Sequence, residues 1–434
     1  MKRDIEQRLL EWKQSENRKP LIIRGARQVG KTYTITAFGD RHYDSCIKLD
    51  FEKDLSLMRV FEGNLSPEKI ILELELFFNT KIIPGKTLLF MDEIQQCERA
   101  LLALRYFYEE MPELHVIAAG SMLEFALSDI SFPVGRVSFE WMYPMTFREF
   151  LIASDKAILA ESIPSISDYK PVTDFAHDMI TEQLRIYFIT GGMPEAVNEY
   201  IQSNSLAKIS QIHEEIFYSY LQSLTKYSNR IDVESLNHVM RTIPKYVGNQ
   251  IRYSTIDPDR RVEKTKSSLQ ILEKALVIHR INAAGAGGLP LGADYSSKVF
   301  KSLFLDIGLL QYACGIDANS IINEKDLSRI YKGALVEQFV GQELLASGGS
   351  EGRRLYYWSR MKKNSSAEVD YLIVKAGKIY PVEVKSGPAG KLKSMHLYLS
   401  EVNNADLGYV LSPTSHTKQL VSNLLFMPFY TRLN

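Results

Sequence analysis

The chain has few cysteines, no excess of either charge and no long apolar run, and each lack removes a class of protein. Its three cysteines, Cys46, Cys97 and Cys314, are far apart and odd in number across 434 residues. That pattern fits neither a disulfide framework nor a thiolate zinc site, and it points to a reducing cytoplasm. Lysine and arginine total 52, as do aspartate and glutamate. The chain as a whole therefore lacks the positive excess of a constitutive nucleic-acid coat, and any basic surface is local. No stretch approaches the roughly 18 apolar residues of a membrane span. The opening MKRDIEQRLLEW carries charge through its apolar positions, unlike a signal-peptide core. A soluble protein with no membrane partner is expected. The length exceeds what one ordinary hydrophobic core organises and predicts about two to four domains.

Within the first 150 residues, short apolar runs alternate with helical patterns. PLIIRG, CIKLDF, KTLLFMDE, HVIAAGS and VSFEWM read as strands of a parallel sheet with helical crossovers. Ser66-Pro67-Glu68 supplies a cap, a first-turn proline and a favourably placed carboxylate for one crossover. Between the first strand and the next helix, Gly25, Gly30, Lys31 and Thr32 match GxxxxGK[ST]. Glycines let backbone N–H groups wrap an anion, Lys31 brings a charge to the outer phosphates, and the Thr32 hydroxyl suits magnesium. LLFMDEIQ ends a buried-type strand with Asp92 and Glu93. Two carboxylates are costly there unless a cation and a polarised water meet them, so Asp92 is assigned to magnesium and Glu93 to the attacking water. Ser121 in AAGSM offers a hydroxyl to the γ-phosphate or the water, or simply caps a helix. Arg136 in VGRVSFEW either stabilises charge on the γ-phosphate or is a surface arginine.

GARQVGKT, MDEIQ, AAGSM and the later YPMTFREF resemble the prokaryotic AAA-superfamily ATPases whose C-terminal half is catalogued as domain of unknown function 4143. The resemblance spans most of the chain. It implies an ATP-binding core, with Mg²⁺, and an extra strand between the two nucleotide motifs. No NKxD guanine-reading motif is present, so ATP is preferred over GTP.

Thr146 to Glu149 is a capping box leading out of this region. TGGMPEAV reads as a turn and a proline-initiated helix. Residues 254–281 read as a short helix, a turn and an amphipathic helix with Leu269, Leu272 and Leu276 on one stripe; a β-like run and a glycine-rich turn follow. That order suggests a winged helix. Its basic run, Arg260, Arg261, Lys264 and Lys266, either meets DNA phosphates or is a solvated face.

EVDYLIVKAGKIYPVEVKSG reads as two strands around a turn at Ala376-Gly377. That register sets Asp370 opposite Glu383, with Lys385 on the same face. Like charges directly opposite are destabilising, whereas a divalent cation and a lysine make the cluster a site for activating water. The D…ExK order resembles the PD-(D/E)xK restriction-endonuclease-like superfamily. The resemblance implies metal ligation by Asp370 and Glu383, nucleophile positioning by Lys385, and a further metal acid, Glu337, from the preceding helix. Val369 stands where the superfamily's proline precedes the first acid. From Glu351 to Met395, ten basic residues stand against four acidic ones, interleaved with Tyr356, Tyr357 and Trp358. Such a stretch follows a nucleic-acid backbone and stacks on bases, or its aromatics are core.

The expectation is therefore an α/β protein in three parts. Residues 1–150 form a P-loop NTPase parallel sheet, 151–300 a helical and winged-helix middle, and 301–434 an α/β restriction-endonuclease-like domain. Its function is ATP hydrolysis in association with DNA, the ATPase controlling a nuclease-like half. A nucleotide-switched regulator that binds without cutting is the competing reading, and a homo-oligomer with Arg136 acting in cis or in trans is compatible with both.

Overall fold

The computed structural model describes residues 1–121, 123–126, 135–167, 172–225, 232–285, 287–292, 298–324, 327, 333–348, 354–360, 367–385, 392–414 and 419–433. The chain divides into two compact units, Met1–Tyr143 and Pro144–Asn434.

In the first unit the five apolar runs form β1 (Leu21–Arg24), β2 (Ser45–Asp50), β3 (Thr87–Asp92), β4 (His115–Ala119) and β5 (Ser138–Trp141). They make one sheet in the order β2-β3-β4-β1-β5, with every pairing parallel. Strands covered on both faces require apolar side chains on both, which is why β3 and β4 are buried along their whole length. β4 is the strand inserted between those carrying the two nucleotide motifs. The helix Pro67–Phe78 begins at Ser66, whose hydroxyl accepts the amide of Lys69 at 3.3 Å. Leu49, Leu89, Leu101, Leu104 and Phe107 close the core on that face.

In the second unit Thr146 and Glu149 form the reciprocal capping box that starts the helix Phe147–Ala153. The TGGMP turn joins the helices Asp174–Thr190 and Pro194–Ser203. A Cβ on Gly191 would lie 2.1 Å from Asp306 Oδ1, and one on Gly192 2.1 Å from the Met145 carbonyl. Only glycine allows those approaches, and the buried Asp306 carboxylate accepts the Gly192 amide at 2.7 Å.

Eight strands form the second sheet: β6 (Ile278–Ala284), β7 (Phe300–Phe304), β8 (Tyr356–Ser359), β9 (Glu368–Lys375), β10 (Lys378–Val384), β11 (Gly408–Ser412), β12 (Gln419–Val421) and β13 (Leu424–Pro428). Their order is β12-β13-β11-β10-β9-β8-β6-β7. The boundary expected at residue 300 coincides with the start of β7, and the sheet continues across it. β9 and β10 pair antiparallel from Lys375↔Lys378 to Tyr371↔Val382 around Ala376 and Gly377, which both have positive φ. This is the register expected of a two-residue turn. Before β6 come the helices Val233–Thr242, Tyr253–Ile256 and Val262–Lys274, and β6 pairs antiparallel with β7. Leu269 and Leu272 are buried, while Leu276 lies beyond the helix end.

Candidate functional site

The carboxyl edge of the first sheet gathers the residues of the nucleotide motifs. After β1 the chain turns through Gly25 to Gly30 into the helix Lys31–His42. A Cβ on Gly25 would stand 2.3 Å from the Met142 carbonyl, and Gly30 has a φ of 91°, so neither position accommodates a side chain without displacement. Lys31 Nζ donates to the Gly25 and Ala26 carbonyls at 2.9 and 2.7 Å, folded back onto its own loop. Burial pulls its pKa down to about 8 against the attraction of Glu93 and Asp92. Thr32 Oγ1 lies 2.9 and 3.2 Å from the two oxygens of the buried Asp92 carboxylate. A hydroxyl and a carboxylate at that separation fit a magnesium ion held with a triphosphate.

Glu93 has a φ of 49°, a left-handed conformation uncommon for a side-chain-bearing residue. The turn directs its carboxylate at the end of β4, where Oε2 accepts from Ser121 Oγ at 3.0 Å, Ser121 N at 3.3 Å and Gln95 Nε2 at 2.5 Å. A Cβ on Gly120 would meet Gln95 Oε1 at 2.3 Å, so the glycine before Ser121 makes room for that amide. Gln95 and Lys48 are absent from the sequence reading. Lys48 on β2 reaches Asp92 at 2.9 Å and Asp50 at 3.1 Å. Burial opposes its charge, but the hydrogen bonds to Asp92 and Asp50 prevail and raise its pKa. A lysine two residues before a strand-terminal aspartate is the only local signal that could have found it.

Arg136 is not part of this group. β5 runs parallel to β1 with Ser138 beside Leu21, which places Arg136 at the amino edge of the sheet, opposite the phosphate loop. There it pairs with Glu109 at 2.8 Å. Of the two readings of Arg136, the surface arginine is the one this position matches, and the choice between action in cis and in trans, left open by the sequence, turns on its distance from the phosphate loop of its own subunit.

The second constellation lies on β7, β9, β10 and the helix Ala334–Ser347. Glu337, Asp370, Glu383 and Lys385 do converge, but around a residue the sequence reading passed over. Lys301 on β7, with its side chain 1% exposed, places Nζ 2.8 Å from Glu337, 2.5 Å from Glu368 and 3.4 Å from Asp370. Asp370 Oδ2 also accepts the Val384 amide at 2.9 Å, and Lys385 pairs with Glu383 at 2.6 Å. Burial opposes the charge on Lys301, yet Glu337, Asp370 and Glu368 together hold its pKa well above the usual value. Burial raises Glu337 to about 8 against Lys301, and burial with the nearby Asp370 raises Glu383 to about 8. Four carboxyls facing two ammonium groups leave an excess of negative charge, which favours the charged form of Lys301 and disfavours the charged forms of Glu337 and Glu383. Among the described residues no group of three or more His, Cys, Asp or Glu side chains is disposed to hold a metal ion. Of the expected metal set, Glu337 and Asp370 are paired with Lys301, and Glu383 with Lys385.

Burial and pairing bear on two further pairs of readings. Tyr357 and Trp358 are core residues, 0% and 1% exposed, and Trp358 packs on Tyr398 with ring centroids 5.2 Å apart, so neither can stack on bases. Arg360 pairs with Glu401 and Lys378 with Asp406; Arg353, Lys362, Lys363 and Lys391 lie outside the described residues. In the basic run, Arg260 pairs with Asp232, Glu234 and Asp257, and Lys264 with Asp232, leaving Arg261 and Lys266 exposed. Among the described residues no helix is long and apolar enough to cross a membrane.

Comparison with known proteins identifies three segments. An AAA domain matches residues 17–151, domain of unknown function DUF8612 matches 181–320, and domain of unknown function DUF4143 matches 332–431. The chain therefore joins an AAA-type P-loop domain to a carboxyl-terminal DUF4143 region. No curated protein matches it. Among solved structures it is similar to a Walker-type ATPase of Pyrococcus abyssi, with 16% identity, 72% of this chain and 95% of that one covered, and a TM-score of 0.44. It is also similar to AMPPCP-bound DnaA from Aquifex aeolicus, at 12% identity, 62% and 86% coverage and a TM-score of 0.28. The Aeropyrum pernix ORC1 protein in complex with DNA is similar at 10% identity, 74% and 94% coverage and a TM-score of 0.30.

Proposed function

We propose that this protein is a magnesium-dependent ATPase that works as a nucleotide-operated switch on its own carboxyl-terminal half. The observation that carries the reading is the convergence of Lys31, Thr32, Asp92, Glu93 and Ser121 at one sheet edge, with Glu93 anchored through Oε2 by Ser121. In this reading Lys31 and the loop amides hold the phosphates, Thr32 and Asp92 hold magnesium, and Glu93 orients the attacking water. Purified protein should hydrolyse ATP with Mg²⁺. Lys31→Ala should lose tight ATP binding, while Glu93→Gln should bind ATP and lose turnover by about a hundredfold or more. Equal ATP affinity in wild type and Lys31→Ala would sink the phosphate-loop reading. Arg136 in this scheme contributes only across a contact between copies, after release from Glu109.

For the carboxyl-terminal half, the Lys301 pairing favours recognition over cutting. A buried ammonium shared by three carboxylates stands where a nuclease would need its metal. The helix order before the β6–β7 pair, with Arg261 and Lys266 exposed, supports DNA as the recognised partner. Plasmid incubated with the protein, Mg²⁺ or Mn²⁺ and ATP should be retarded in a gel yet remain uncut. Cleavage that disappears with Asp370→Asn would restore the nuclease reading.

A further inference from the structure

Lys48 belongs to none of the recognised nucleotide motifs, yet it is the cation bound to their magnesium carboxylate. Its ammonium lies 2.9 Å from Asp92 Oδ2, the same oxygen that Thr32 Oγ1 approaches at 2.9 Å. Asp92 is nearly inaccessible, its side chain 5% exposed, whereas Lys48 is 31% exposed and has a second carboxylate, Asp50, at 3.1 Å. The two aspartates are register partners at the ends of adjacent strands, so Lys48 bridges β2 and β3 at the edge where the nucleotide motifs meet. A buried carboxylate with a hydroxyl beside it would otherwise attract a divalent cation on its own.

From this geometry we propose that Lys48 is a resident counter-ion that sets the magnesium threshold of the ATP site. This inference rests on the ATP-site reading above. Without nucleotide, Lys48 neutralises Asp92 and repels a second cation from the Thr32–Asp92 pair. When a nucleotide's phosphates add negative charge, the balance reverses, and Lys48 withdraws to Asp50 without leaving solvent. The site therefore accepts its metal together with the nucleotide and not ahead of it. Lys48 is a positioning residue in this scheme, acting through Asp92.

The test is a MgCl₂ titration of the full chain with a fluorescent ATP analogue, read beside the thermal midpoint in MgCl₂ alone. In Lys48→Met the Mg²⁺ concentration for half-maximal nucleotide binding should fall about tenfold, the scale of one like-charge contact removed from a partly shielded site. MgCl₂ without nucleotide should raise the thermal midpoint of Lys48→Met but not of wild type, and adding Asp92→Asn should remove that rise. Lys48→Arg keeps the charge and should behave as wild type. Asp50→Asn leaves Lys48 with Asp92 alone and should raise the Mg²⁺ requirement, a result that decides the matter even if Lys48→Met fails to fold. An unchanged Mg²⁺ requirement in Asp50→Asn, or in a folded Lys48→Met, overturns the proposal while leaving the ATP site intact. A wild type that binds no nucleotide at any Mg²⁺ concentration overturns the ATP-site reading and this inference with it.

Discussion

Glu93 and Gln95 carry the most information per residue. A left-handed backbone at a glutamate costs on the order of 1 kcal/mol or more, and it persists only where surrounding contacts over-determine it. Here those contacts all end on Oε2: Ser121 through its amide and hydroxyl, and Gln95 through its side-chain amide. Oε1 takes no part in them, and in the proposed reaction it is the oxygen that accepts from the attacking water. Gln95→Ala should therefore loosen the carboxylate without touching the phosphates. The expected outcome is a kcat reduced between about tenfold and a hundredfold, the range for a misplaced catalytic group, with ATP affinity within about twofold of wild type. Steady-state kinetics beside direct binding separates the two; equal loss of both would mean that Gln95 supports the fold of the loop.

At the scale of elements, the two glycines of the TGGMP turn have a packing role. Gly191 and Gly192 let two helices approach Asp306 and Met145, and His213 closes the same corner by pairing with the Thr190 carbonyl at 3.0 Å. His213 is wholly buried, and burial depresses its pKa to about 4. Its folded form thus disfavours the proton. The stability it contributes is present above the unfolded value near 6.5 and is lost as pH falls toward 4, on the order of 3 kcal/mol over the whole window. Asp306 has the opposite sign: burial raises it to about 6, so proton uptake between about pH 6 and 4 favours the folded state. Denaturant melts from pH 7 to 4.5 should show His213→Gln losing less stability on acidification than wild type. An identical pH slope in the two proteins would place the acid sensitivity elsewhere.

The whole molecule decides what the carboxyl-terminal carboxylates can do. Lys301 on β7 ties together the helix Ala334–Ser347 and β9, so one ammonium organises elements distant in the chain. Removing a shared buried cation leaves uncompensated charge, and Lys301→Met should cost about 3–5 kcal/mol of stability. The same change opens the place a metal would take. Mn²⁺ should then raise the thermal midpoint of Lys301→Met while leaving wild type unmoved, as calorimetry can check. A Mn²⁺ shift in wild type, abolished by Asp370→Asn, would mean that Lys301 yields to the metal and that the cluster is a nuclease site after all.

Much of the architecture was legible in the sequence because it is written in short-range geometry. Five apolar runs gave β1 to β5 through strand periodicity. The spacing of Gly25, Gly30, Lys31 and Thr32 is set by one strand-to-helix turn, and the register of β9 with β10 followed from two turn residues at Ala376 and Gly377. Carboxylates at a strand end, Asp92 and Glu93, were conspicuous because charge is expensive there. The partners of those carboxylates were not legible. Lys48 meets Asp92, and Lys301 meets Glu337, Glu368 and Asp370, only once strand order has placed distant segments side by side. Strand order likewise put Arg136 at the sheet edge away from the phosphate loop and sealed Tyr357 and Trp358 in the core. Periodicity along a chain specifies which face is buried; which buried charge meets which depends on contacts between segments, and those exist only in the folded sheet.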